Sequence, residues 1–130
     1  FANKNNLSVE MSDGKTQSTV SYKTFLKQSL FLMKNKEYDK SISNFKVILT
    51  NFPGDVNAEF YIGYAKFYQG KYEEAIPYFN KAMNNAFDFF MEDAEWFKAN
   101  SLQKLGKLKK AQIIYNSIKK KGGYYSYQVN

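Results

Sequence analysis

Aromatic rings are the groups in this chain best placed to do something. Phe60, Tyr61, Tyr64, Phe67 and Tyr68 recur at steps of three and four positions, the spacing that sets side chains along one side of a helix. Trp96 and Asn100 take up the same step later in the chain, and Leu30 and Met33 do so earlier. The chemistry these residues support is non-covalent. Tyr and Trp offer a broad apolar face with one polar tip, hold it rigidly, and dominate binding energy where they meet a partner. The candidate contact residues are Phe60, Tyr61, Tyr64, Phe67, Tyr68, Trp96 and Asn100, flanked by Leu30 and Met33. A second reading stays open, because aromatic stripes at helical spacing also build cores. For Phe60 and Trp96 it has the ring packing against the preceding helix.

Bond-making chemistry has little to draw on. The chain contains no Cys and no His, which removes thiol nucleophiles, imidazole bases, disulfide frameworks and most zinc sites. It also carries no phosphate-cradling glycine loop and no serine elbow. Glu73, Glu74, Glu92, Asp93 and Glu95 fall at expected helix starts, where carboxylates serve solubility and the helix dipole. No enzymatic activity, cofactor or metal is expected.

Charge narrows the partners further. The net charge is +7, yet all 19 basic residues are Lys. Lacking the bidentate fork of Arg, the chain is not expected to read nucleic acid specifically. Residues 55–95 hold eight acids against three Lys, whereas residues 96–130 hold eight Lys and no acid. The Lys107, Lys109, Lys110 and Lys119-Lys120-Lys121 groups read as a solvated helix end, or as a contact for an acidic partner or anionic headgroups. No run of about 20 apolar residues is present. The sequence opens at Phe1 and reads as a fragment or a processed product.

The elements that must position the rings show themselves by repetition. Residues 22–53 align with 56–83 so that Tyr38 falls on Tyr72, Ile42 on Ile76 and Phe45 on Phe79, each 34 positions apart. A third copy follows at a spacing of 36, matching Gly106 to Gly70, Ala111 to Ala75, Tyr115 to Phe79 and Trp96 to Phe60. Self-similarity at this period marks a stack of supersecondary units. Each copy splits into two helices around a break such as Gln69-Gly70-Lys71, where Gly70 suits the left-handed helix end. Gly63, Ala75 and Ala82 are small enough to let paired helices approach closely. Pro53-Gly54-Asp55 stops the first copy and supplies Asp55 as N-cap of the second; Asp88 is the expected cap of the third. The closing GGYYSYQVN reads as a break and the first turn of a further helix. Residues 1–20 are polar and lack a helical period, so they read as a flexible linker or arm before a domain spanning 21–130.

These copies resemble the tetratricopeptide repeat. The second carries the pattern best, with Gly63, Ala65, Gly70, Tyr72, Ala75, Ile76, Phe79 and Ala82. The first keeps Phe25, Tyr38 and Pro53 but has Ser29, Lys36 and Ser41 where Gly, Gly and Ala are usual. The third keeps Ala94, Gly106, Ala111 and Tyr115. The resemblance implies an all-α, right-handed α-α superhelix of about three helix-turn-helix units (about 22–55, 56–91 and 92–123) plus a partial C-terminal helix. It further implies a non-enzymatic scaffold that binds a protein or peptide segment along a concave groove lined by the first helix of each unit. Some such domains hold acidic tails with Lys and Asn. The matching places here are Leu26, Leu30, Tyr61, Asp93 and Phe97, which points to an apolar or aromatic-bearing partner instead. The alternative is an assembly module that self-associates, as a weak homodimer, through exposed Ile113, Ile114 and Ile118 on the last helix. In style the run is also similar to soluble C-terminal repeat domains of membrane-anchored Bacteroidetes proteins. That likeness implies a membrane tether upstream of residue 1 and a periplasmic location, with the cytoplasm as the other option.

Overall fold

Inside each helix pair, the turn that joins the two helices carries a left-handed residue. Gly70 and Gly106 sit there at φ 77° and 80°, a region that costs glycine almost nothing. The first pair has Lys36 in the corresponding place, and it still adopts φ 63°. The turn geometry is thus kept where the residue preference is lost, at a cost of roughly 1 kcal/mol.

The structure is a computed structural model that describes residues 6–10, 13–85 and 90–129. Six helices follow a short hairpin: β1 (Asn6–Glu10), β2 (Gln17–Ser21), α1 (Tyr22–Lys34), α2 (Tyr38–Asn51), α3 (Val56–Tyr68), α4 (Tyr72–Asn85), α5 (Met91–Lys104) and α6 (Leu108–Lys121). A 3-10 helix, Tyr124–Gln128, closes the described chain. Each helix packs on the next in sequence, and α3 also touches α5. This is an all-α helical-repeat superhelix with a two-stranded addition at its start.

Capping explains the clean start of the second pair. Asp55 accepts the Ala58 N–H at 2.9 Å, satisfying one of the orphan donors of α3. Its other oxygen accepts the Tyr22 hydroxyl at 2.8 Å, so one buried carboxylate fixes both the start of α3 and the first turn of α1. Asp88 lies outside the described residues; α5 begins at Met91 behind Phe90, which makes no side-chain cap.

Small residues set the helix spacing as expected. A Cβ built on Gly63 would lie 2.8 Å from the Phe79 ring, so α3 and α4 approach as closely as they do only because that position is bare. Ser29 and Ala99, the matching residues of the other two pairs, are fully buried too. Ser29 turns its hydroxyl back onto the Phe25 carbonyl at 2.7 Å and so needs no external partner.

The N-terminal segment departs from expectation. Over residues 6–10 and 13–21 the chain is no loose arm: β1 and β2 pair antiparallel, with Leu7 opposite Val20 and Val9 opposite Ser18. Leu7 is only 1% exposed and joins Phe25, Ile42, Phe45 and Ile48 in the first core cluster. The hairpin is closed by Asp13, whose carboxylate accepts the Lys15 and Thr16 N–H groups, both at 2.8 Å, and the Thr16 hydroxyl. Those three donors hold its pKa down to about 2. Residues 1–5 and 11–12 of the expected arm lie outside the described residues.

Candidate functional site

Helix α3 lies between the two core clusters, and its residues divide between them. Ile62, Ala65 and Ala58 face the first, while Phe60 faces the second. Tyr61, Tyr64 and Phe67 are left half-buried, and Tyr68 is 49% exposed. These rings rest on one another. Tyr64 lies 4.6 Å from Tyr68 and 5.3 Å from Phe97 of α5, and Phe67 meets Phe97 edge-on at 5.2 Å. On the other side Tyr68 stacks on Tyr38 of α2 at 6.5 Å, and Tyr61 stacks on Phe45 at 5.7 Å. The result is one bed of rings that spans α2, α3 and α5 and is fixed before any ligand arrives.

Two of the expected contact rings are committed elsewhere. Phe60 is 4% exposed and stacks on Phe90 at 4.7 Å, with Phe79 at 5.9 Å. It is a core ring, because α5 enters over it. Trp96 is half-buried and has one face covered by Tyr125 of the 3-10 helix, at 5.1 Å and 13° between planes. The two stacks are equivalent: Phe90 lies on Phe60 as Tyr125 lies on Trp96. The 3-10 helix therefore continues the stacking of the helix pairs; both rings pack inside the stack, but on rings from elements that follow them and not on the preceding helix as the second reading had it.

Trp96 and Asn100 do come together, with Gln103, Tyr115, Gln128 and Val129, around a cavity of about 200 Å³. The Tyr115 hydroxyl meets the side-chain amides of both Asn100 and Gln103, so this end is polar. Tyr125 anchors it by donating its hydroxyl to Asp93 at 2.5 Å and its N–H to Glu92 at 2.8 Å. Leu30 and Met33 on α1 are half-buried, Leu30 against the first cluster. Ile118, expected on an exposed face, is buried. It falls on the same side of α6 as Ala111, one heptad earlier. Among the described residues no group of acidic side chains is arranged to hold a metal ion, and no helix is long and apolar enough to cross a membrane.

Comparison with known proteins now adds to this geometry. Residues 60–89 match the tetratricopeptide repeat family. The tetratricopeptide-repeat domain of Arabidopsis FLU, 26% identical, superposes with a TM-score of 0.68 over 73% of this chain and 88% of that one. The fold is that of a tetratricopeptide-repeat domain. The first such domain of Spaghetti, bound to an HSP90 peptide, is similar at a TM-score of 0.70 with 16% identity, covering 81% of this chain and 83% of that one. The Yersinia enterocolitica secretion chaperone SycD, in complex with a peptide of the translocator YopD, is similar at 0.69 with 14% identity, covering 78% and 76%. No curated protein matches the sequence.

Within the repeat domain the tyrosines carry a measurable electrostatic signature. Burial pushes the Tyr64 hydroxyl up to about 12, with the neighbouring Tyr68 adding to the shift. Burial does the same to Tyr22, also to about 12, where the Asp55 carboxylate adds to it and the Asn57 amide opposes it. Burial and then Asp93 raise Tyr125 as well. An unfolded tyrosine loses its proton near pH 10, while the folded chain holds these protons longer. Their contribution to stability is whole below about pH 10 and is lost as the pH climbs toward about 12. Urea midpoints should be level through neutral pH and fall above about pH 10. The fall should be shallower in Tyr64→Phe, and an equal fall in that variant would show that Tyr64 is not involved.

Proposed function

We propose that this chain is a non-enzymatic interaction scaffold that holds an apolar or aromatic-bearing polypeptide segment against the ring bed of α3. The observation that carries this reading is Tyr68, which is 49% exposed yet lies between Tyr38 and Tyr64. An exposed ring held in place by its neighbours loses little freedom when a ligand covers it, so more of the contact energy appears as affinity. Tyr61, Tyr64 and Phe67 extend the surface, and the Spaghetti and SycD domains, similar in fold, are seen with bound peptides. The HSP90 peptide on Spaghetti, SRMEEVD, is acidic. The family resemblance assigns Leu26, Leu30, Tyr61, Asp93 and Phe97 to the places where such a tail is held by Lys and Asn, which favours apolar anchors here.

Peptides selected from a displayed library against the native chain provide the test. Tyr68→Ala should weaken the selected peptides about tenfold or more while lowering the unfolding free energy by about 1.5 kcal/mol at most, the scale of a ring–ring contact, with melting still cooperative. Peptides that bind the variant as well as the native chain would remove the ring bed as the site. Self-association through α6 keeps one supporting observation, the exposure of Leu108 and Ile113, and loses another with the burial of Ile118.

A further inference from the structure

A second surface lies on the opposite side of α5 from Trp96, Asn100 and Gln103. Lys98 and Leu102 are each two positions from Asn100, which turns them about 200° around the helix. They form part of a groove of about 430 Å³ between α4 and α6. Its apolar part comes from Ile76, Leu102, Ile113 and Ile114, and its charge from Lys98, Lys107 and Lys110; none of its lining residues is acidic. Ile113 is 69% exposed, an unusual state for a β-branched apolar side chain in a helix that has a core to face.

Charge decides between the candidate occupants. A second copy of the chain would have to bring a continuous acidic ridge, and of the described acids in the central repeats all but Glu73 are already engaged. Glu59 accepts from Asn85, Glu74 pairs with Lys66, Glu95 pairs with Lys121, and Glu92 and Asp93 hold Tyr125. A bilayer would meet a plane, whereas Leu102 is buried and Ile76 and Ile114 are half-buried within a groove. A narrow ligand with apolar anchors and carboxylates beside them matches both features.

We propose that the α4–α6 groove docks an acidic amphipathic helix of a partner protein, apolar residues inward and carboxylates on the lysines. The probe is a fluorescently labelled synthetic helix with Leu along one face and Glu along the other. The same helix with Lys in place of Glu, and phosphatidylglycerol vesicles, serve as comparisons. The acidic helix should bind, and added salt should weaken it. Ile113→Ser and the Lys107→Gln/Lys110→Gln double variant should each lower its affinity about tenfold or more, with melting as cooperative as in the native chain. Tyr68→Ala should leave it unchanged, which separates this groove from the ring bed. The proposal is overturned if the acidic helix fails to bind, if the groove variants bind it equally, or if the Lys helix binds as well. It is also overturned if vesicles bind and the helix does not, or if sedimentation finds a native dimer that Ile113→Ser dissolves while no helix is bound.

Discussion

Phe79→Ala should lower the unfolding free energy by about 4 kcal/mol, the middle of the range for removing a buried ring. The ring is fully buried, stacks on Phe97 at 5.9 Å, and meets Phe60 at the same distance. Gly63 adjoins it and has no side chain with which to fill the space left behind, so the cavity cannot close from that side. A second substitution makes the expectation sharper. Gly63→Ala alone should destabilise, because its Cβ would lie 2.8 Å from the ring. In the Phe79→Ala background the same change should stabilise, since the clash is gone and Ala gains about 1 kcal/mol of helix preference over Gly. Urea denaturation of the two single variants and the double variant closes the cycle. Additive effects would mean that the close approach of α3 and α4 does not rest on this contact.

Leu7→Ala should cost about 3 kcal/mol, an effect that a flexible arm could not produce. Leu7 is the buried side chain of β1, in one core cluster with Phe25 and Ile48, and β1 contacts α2. A two-stranded hairpin is marginal by itself, so losing this anchor should release it. Hydrogen exchange should then speed up across Asn6–Glu10 and Gln17–Ser21 while the amides of α4 to α6 keep their protection. A change below about 1 kcal/mol, the median for any substitution, would return the segment to the status of an arm.

The helix pairs were legible because their signals are redundant. A left-handed turn residue and a small residue at the close helix contact recur in every copy, so losing a few letters in the first copy does no harm. Lys36 shows this directly: the sequence has the wrong residue for the turn, and the neighbouring helices impose the turn anyway. The hairpin had no such support. Its alternation spans only Leu7 and Val9 on one strand and Val20 on the other, inside polar text. The clue available was Asp13 three residues before Thr16, a turn closure that could have been weighed against the composition. The α3 face was legible as aromatic, but its division was not. Phe60 and Tyr64 have the same helical spacing and similar side chains, and only the entry of α5, which lays Phe90 over Phe60, separates a core ring from a surface ring. Trp96 follows the same rule through Tyr125.

The side chain of Asn51 has a consequence beyond local bonding. Its amide accepts the Ser8 N–H at 2.9 Å and donates to the Ser8 carbonyl at 3.1 Å, the pair of contacts that a third strand's peptide group would make there. A third Asn51 bond, to the Val47 carbonyl at 3.0 Å, ties that amide to its own helix. At Ser8 the open side of β1 thus meets a dead end, a group that mimics backbone but cannot be extended. Exposed strand margins invite fibril-like recruitment of other chains, and here α2 itself supplies the stopper.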